Sequence, residues 1–139
     1  MSDSEKVAKA REILYDHGMK IRREVAGDEY VDRSLKDGAS DFAKPMQELA
    51  TEAGWGLIWS RPGLDRKTRS LLNVAMLCIL NRDAELAVHV RGAVTNGASE
   101  VEIRETIMQA ALYAGFPCGL QGTRVAEKVL KTMKQESEG

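Results

Sequence analysis

Arg82, Glu85 and His89 follow one another at intervals of three and four residues, spacings that bring side chains onto one face of a helix. A carboxylate one turn from an imidazole orients it and raises its pKa. A guanidinium in the same stripe pushes the other way and grips carboxylates in a fork. Such a trio suits acid–base work on an anionic substrate. The same spacing also suits a plain surface ion pair, Arg82 with Glu85, beside a histidine that only packs. Arg69 stands one turn inside a helix, just before an apolar run, whereas Arg66 and Lys67 occupy a first turn where the helix dipole disfavours positive charge. Trp55 and Trp59, four apart, share one aromatic face, either to pack or to wall a site. Tyr113 sits with Phe116 and Cys118 at a Gly/Pro junction. Its hydroxyl can serve a developing oxyanion or any backbone acceptor. His17 lies in a charged amphipathic stretch and reads as a partly exposed helix residue.

The elements that must position these groups are helices. No segment alternates β-branched and aromatic residues with period two, and only three prolines interrupt the long amphipathic stretches. Helix one is expected from Glu5 to Val25, with Val7, Ala10, Leu14, Ile21 and Val25 as its stripe and Gly18 weakening its middle. The polar stretch 28–40 reads as a short helical turn plus loop. Asp41 is expected to cap a helix from Phe42 to Ala53 with Pro45 in its first turn, and the chain turns at Pro62-Gly63. Asp65 is a natural N-cap for a helix ending near Asn81. That helix is apolar on every side from Leu71 to Leu80 except at Asn73, which predicts a place at the centre of the core. Asp83 should cap the next helix, which carries His89 and stops at Asn96-Gly97. Ser99 and Glu102 form a capping box for a helix ending at Tyr113-Ala114-Gly115, and Pro117 opens a final helix to about Met133, with a frayed polar tail.

Composition narrows the function. The 139 residues fit a single all-α domain, residues 1–139, of about six to seven helices. A net charge of −1 offers nucleic acid no basic surface. The apolar run Leu71–Leu80 is too short for a membrane span, and the polar opening MSDSEKVAKA has no signal-peptide core. A soluble, cytoplasmic protein is the expectation. Cys78 and Cys118 are far apart and make no ligand-like cluster, so no metal site is expected, and Cys78 reads as a small buried hydrophobe.

Five segments together resemble the carboxymuconolactone decarboxylase family: GDEYVDRSL (27–35), WGLIWSRPGLDRKTRSLL (55–72), LNRDAELAVHVRGAVTNG (80–97), EIRETIMQAALYAGFP (102–117) and RVAEKVL (124–130). In the wider superfamily, alkylhydroperoxidase-like members carry a C-x-x-C pair shortly before the histidine. Here Arg82 and Glu85 stand in those places, so dithiol peroxide reduction is not expected. The resemblance implies an all-α subunit of a homo-trimer or homo-hexamer. It further implies cofactor-free decarboxylation of a small carboxylate lactone, 4-carboxymuconolactone, to the β-ketoadipate enol-lactone in protocatechuate catabolism. Within that chemistry His89 is expected to protonate carbon, Glu85 to orient it, and Tyr113 to donate to the oxyanion. Arg82, Arg69 and the weaker candidate Arg33 would anchor carboxylates, and Trp55 and Trp59 would wall the site. The stretch Cys118-Gly119-Leu120-Gln121-Gly122-Thr123 departs from the alanines and aromatic common in the family. Its glycines are expected to enlarge the pocket or loosen the last helix's start. Two alternatives accompany this reading: a paralogue acting on another lactone or β-keto acid, and a non-catalytic oligomeric binding protein.

Overall fold

The computed structural model describes residues 1–139 and contains helices and turns, with no strand. The chain divides into two compact units, Met1–Gly63 and Leu64–Gly139.

In the first unit α1 (Asp3–Ala26) begins two residues before the expected Glu5, at a capping box on Ser2. Ser2 Oγ accepts from the Glu5 amide at 3.1 Å, and Glu5 Oε2 accepts from the Ser2 amide at 2.6 Å. Only the C-terminal part of α1 is buried, at Gly18, Ile21, Arg22, Val25 and Ala26, while Val7 and Ile13 of its first half are exposed. Stretch 28–37, expected as a turn plus loop, is instead a ten-residue helix, α2 (Asp28–Asp37). Two contacts hold it. Val31 is fully buried, and Arg23 of α1 forks Asp28 at 3.1 Å and Asp32 at 2.8 Å.

Asp41 does not cap the next helix. The chain turns through 41–43 on a Ser40 Oγ that accepts from the Ala43 amide, and α3 (Lys44–Leu49) follows with Pro45 in its first turn, as expected. The helix does not stop at Ala53 either. It widens into a nine-residue π segment (Ala50–Ile58), closed by the Trp59 amide donating to Gly54 O at 3.0 Å. Glycine makes this possible. Gly18 of α1 faces the Thr51 carbonyl and the Gly56 backbone so closely that a Cβ on Gly18 would stand 2.7 Å from Gly56 N. What reads in sequence as a weak spot in helix one is the point of closest helix approach.

The second unit packs α4 (Arg66–Ile79), α5 (Asp83–Thr95), α6 (Glu100–Ala114) and α7 (Phe116–Glu138) around Val74, Cys78, Leu86, Val90, Ala93, Ile103, Ile107 and Ala126. Asp65 caps α4 by accepting from the Thr68 amide at 2.7 Å, and the Ser99/Glu102 box caps α6, both as expected. Asp83 is the first residue of α5 rather than its cap. Its carboxylate accepts from Gln121 Nε2 of α7 at 2.9 Å instead. The tail is not frayed, because α7 continues to Glu138, whose neighbour Glu136 is forked by Arg91 at 2.8 and 3.1 Å.

Two further expectations need correcting here. Helix α4 is not surrounded by protein: Ser70, Val74 and Cys78 are buried, but Leu72, Met76, Ile79 and Leu80 are exposed on its other side. Gly122 does not enlarge a pocket, and neither it nor Gly119 loosens α7, although Gly119 lines a cleft of about 320 Å³ with Met108, Leu112 and Phe116. Both glycines are buried, and a Cβ on Gly122 would stand 2.5 Å from Cys78 Sγ, so these glycines let α7 approach its neighbours. Cys78 and Cys118 are free and buried, and the Cys78 thiol donates to the Cys118 carbonyl at 3.3 Å.

The close approach in the first unit gives a prediction with an unusual sign. Alanine in place of a mid-helix glycine ordinarily gains about 1 kcal/mol. At Gly18 the added methyl would meet backbone that cannot swing aside, and overpacking costs about 1–3 kcal/mol. Gly18→Ala should therefore lower the unfolding free energy in urea by about 1–2 kcal/mol. A stabilised Gly18→Ala protein would contradict this packing.

Candidate functional site

Helix α5 presents His89 half-buried, between the buried Leu86 and Val90 turns. Across from it, α4 supplies Asn73, whose Nδ2 lies 3.4 Å from His89 Nδ1. With the amide donating, Nδ1 is the acceptor and the ring carries its proton on Nε2. Asn73 is a neighbour of His89 that the spacing argument missed. Its signal was present as the sole polar residue in the run Leu71–Leu80. A polar side chain inside an apolar run needs a partner, and here the partner is the imidazole. Arg69, half-buried and four residues before Asn73, shares its face of α4.

Burial lowers the His89 pKa, against a smaller opposing pull from the Glu85 carboxylate. Glu85 itself is held below the usual carboxylate range, first by its hydrogen bond from Arg82. That pair is short, Arg82 Nη2 to Glu85 Oε1 at 2.7 Å, and it lies toward solvent. The three-residue interval thus forms the surface ion pair that the spacing allowed, one turn from His89, with a single Arg82 N–H on Glu85. Tyr113, near the end of α6, is 83% exposed, so no buried partner holds its hydroxyl. Arg33, Trp55 and Trp59 belong to the first unit. There the two indoles stack as expected, with centroids 4.9 Å apart, and Arg33 lies over the Tyr30 ring at 5.9 Å. What the second unit brings together is His89 with Asn73 and Glu85, Glu85 with Arg82, and Arg69 on the face that carries Asn73.

Several clefts of the second unit lie away from His89. One of about 250 Å³ between α6 and α7 is lined by Ile103, Arg104, Ala126 and Lys131 among others, and one of about 460 Å³ between α4 and α6 by Leu71, Leu72, Thr106 and Ala110. Neither is lined by His89.

The second unit thus holds a half-buried imidazole beside the Asn73 amide, one turn from a carboxylate paired with arginine. Comparison with known proteins gives that arrangement its class. The sequence model of the carboxymuconolactone decarboxylase family matches residues 44–128. Nitrosuccinic acid decarboxylase of Metarhizium robertsii is 44% identical over 125 residues, which is 90% of this chain and 87% of that protein. The 4-carboxymuconolactone decarboxylase of Acinetobacter baylyi is 40% identical over 119 residues, covering 86% and 88%. An uncharacterized 15.0 kDa protein of Paracoccus denitrificans is 34% identical over 87 residues, 61% of this chain and 65% of that one. The chain belongs to the carboxymuconolactone decarboxylase family. Two of these relatives are decarboxylases, and carboxy-lyase is the enzyme class of this chain. No helix is long and apolar enough to cross a membrane.

The burial of His89 is open to direct measurement. Its imidazole should titrate by NMR below the ordinary value of about 6.5. With the folded pKa depressed, the unfolded chain binds the proton first as pH falls. His89 thus favours the folded state fully above about pH 6.5, and that contribution declines as pH falls toward the folded pKa. His89→Gln should flatten the loss of stability across that window. An unchanged pH–stability curve in a folded variant would contradict the assignment.

Proposed function

We propose that the chain decarboxylates a small dicarboxylic acid whose departing electron pair has a built-in acceptor, with 4-carboxymuconolactone as substrate. The observation that carries this reading is the similarity, over most of the chain, to two decarboxylases whose named substrates share that chemistry. In 4-carboxymuconolactone the leaving carboxylate sits on a tetrahedral ring carbon joined through the ring double bond to the lactone carbonyl. Cleavage of the carbon–carbon bond releases CO₂ and sends the pair through the ring to the carbonyl oxygen. The resulting dienolate then takes a proton at the ring carbon next to that carbonyl, giving the β-ketoadipate enol-lactone of protocatechuate catabolism. The lactone is the electron sink, and the protein's tasks are to hold two carboxylates, stabilise an oxyanion and deliver one proton.

His89 is the proton donor in this reading. Its imidazole is neutral before the substrate binds, since burial lowers its pKa. Two substrate carboxylates reverse that balance by favouring the imidazolium. The proton then passes from Nε2 to carbon, and solvent restores it. Glu85 supports the cationic state from one turn away. Arg69, on the Asn73 face, anchors a carboxylate. Arg82 does so by exchanging its hydrogen bond to Glu85 for one to substrate. Tyr113 supplies the oxyanion with a donor once a second subunit covers its exposed ring.

A second substrate is favoured by the 44% identity to a nitrosuccinic acid decarboxylase. In nitrosuccinic acid the leaving carboxylate sits on the carbon bearing the nitro group. The nitro oxygens receive the electron pair, and the same carbon is protonated. Both acids ask the same things of His89 and the arginines. Assaying the purified protein with each acid, following CO₂ release, separates them. Turnover of neither would sink the proposal. With the true substrate, His89→Gln should lose about 10²–10⁴-fold in the chemical rate with little change in affinity, whereas Arg69→Ala should weaken binding first. A folded His89→Gln protein with near-normal turnover would make His89 structural.

The assembly belongs to the same proposal: a homo-oligomer, trimer or hexamer. The reading is supported by large apolar side chains left exposed in the second unit: Leu72, Met76 and Ile79 on α4 with Leu80 just after it, Met108 and Leu112 on α6, and Phe116 and Leu120 on α7. Light scattering should give a multiple of the 15.3 kDa chain mass, and Met76→Glu or Leu112→Glu should weaken assembly. A stable folded monomer at micromolar concentration would count against it.

A further inference from the structure

Asn73 meets His89 with an amide that nothing else in the chain holds. Its Nδ2 lies 3.4 Å from the ring's Nδ1, and that is its one side-chain hydrogen bond. Its Oδ1 has no partner within the chain and is not sealed from solvent. The amide of Gln121, in the same unit, is the opposite case. Its Nε2 donates to Asp83 at 2.9 Å and its Oε1 accepts from Arg124 at 3.3 Å, so both ends are fixed. Half a turn about the last side-chain torsion of Asn73 exchanges Nδ2 with Oδ1, two atoms of nearly equal size. That turn breaks no hydrogen bond except the one to the ring.

The charge on the ring decides which orientation is favoured. A neutral imidazole with its proton on Nε2 offers Nδ1 as an acceptor, which suits the amide as it stands. An imidazolium carries N–H on both nitrogens. Its Nδ1–H would face the N–H of Nδ2, two donors with no acceptor between them, where partial burial makes an unmade hydrogen bond costly. With the amide turned over, Oδ1 accepts from Nδ1–H, and a hydrogen bond from a charged donor is the stronger kind. The charges around the ring are Glu85 on α5 itself and Arg69 on the Asn73 face of α4. Helix α7 meets α5 where Gln121 reaches Asp83 and Glu136 reaches Arg91. Asn73 adds no charge to that set, and it suits either state of the ring by turning.

We propose that Asn73 is a positioning residue that follows the charge of His89: its amide donates to Nδ1 of the neutral ring and turns over to accept from Nδ1–H of the imidazolium. The proposal rests on the reading of His89 as the proton donor. When substrate binds, the second proton enters at Nδ1 from solvent and the amide turns. The Nε2 proton then passes to carbon. The ring is left neutral with its remaining proton on Nδ1, still held by Oδ1, and solvent reprotonates Nε2.

NMR of the whole chain tests this, with the Asn73 amide assigned by its loss in Asn73→Asp and the ring by its loss in His89→Gln. In the wild type, the Overhauser contact between the Asn73 amide protons and the ring Hε1, the carbon-bound hydrogen beside Nδ1, should be strong while the ring is neutral. It should fade in step with protonation as acid is added. Asn73→Asp can only accept, so its neutral ring should carry the proton on Nδ1 rather than Nε2, read from the ring ¹⁵N shifts. That measurement, made at alkaline pH, stands even if acid unfolds the protein. Asn73→Leu, which neither donates nor accepts, should lower kcat by about 10-fold with KM changed less. A wild-type contact that keeps its strength through the titration overturns the proposal, because the amide then stays a donor. An Asn73→Asp ring that keeps its neutral proton on Nε2, or a folded Asn73→Leu with unchanged kcat, overturns it as well. If the amide follows the ring but neither 4-carboxymuconolactone nor nitrosuccinic acid turns over, the decarboxylase reading fails while the coupling of amide to ring stands.

Discussion

The cost of taking an imidazole out of water is the constraint on which this site depends. His89 is held where burial favours its neutral form, and one carboxylate, Glu85, pulls weakly the other way. A balance of that kind is easily tipped by the charge of a ligand. The neutral ring also needs a defined tautomer, and the Asn73 amide at 3.4 Å sets it. That contact links α4 to α5 across sixteen residues of sequence, so it exists only if the helices pack in register. Val74, one residue from Asn73, and Val90, one residue from His89, are both fully buried in the shared core. The packing that stabilises the unit is therefore the packing that aims the imidazole.

Helix approach in both units runs through glycine. Gly18 and Gly56 let α1 meet the π segment, and Gly119 and Gly122 let α7 settle onto α6 and α4, the latter against Cys78. In the first unit the consequence is chemical as well as structural. The widened helix presents Thr51 inward to Arg22, and it brings Trp55 and Trp59 into a stack. π segments of this sort recur at functional sites because they re-aim side chains that a regular helix would space differently.

Much of the framework was legible in the sequence because its signals are local. Asp65, the Ser99/Glu102 box and Pro117 each act within one turn, and each sits where the pattern placed it. The departures come from interactions that no local pattern encodes. Helix α2 looked too polar to be more than a turn, but Arg23, from the preceding helix, ties down its two aspartates. Asp83 had the right type for a cap, but Gln121 of α7 claims its carboxylate. The π segment is invisible to a 3.6-residue period, since glycines at 54 and 56 read as a stop. Uniform apolarity in α4 predicted burial, and half of that surface is exposed in the single chain. Sequence can mark a surface as one to be covered without saying by what. At the site, spacing singled out His89 and left Arg82 and Glu85 open to two roles. Asn73 was legible as a polar side chain in need of a partner, but not as the partner of His89, because that contact is made across helices.

The central claim is that His89 hands the proton to carbon, and the stereochemistry of that step tests it most directly. Decarboxylation of 4-carboxymuconolactone in D₂O places one deuterium on the ring carbon next to the lactone carbonyl. The two faces give enantiomers, which NMR distinguishes once the promptly trapped product is coupled to an enantiopure amine. Delivery from a fixed imidazole predicts a single face with the wild-type protein. Folded His89→Gln, relying on water, should react slowly and give both faces. A folded His89→Gln that keeps both the rate and the single-face outcome would contradict the account, since the proton would then come from another group.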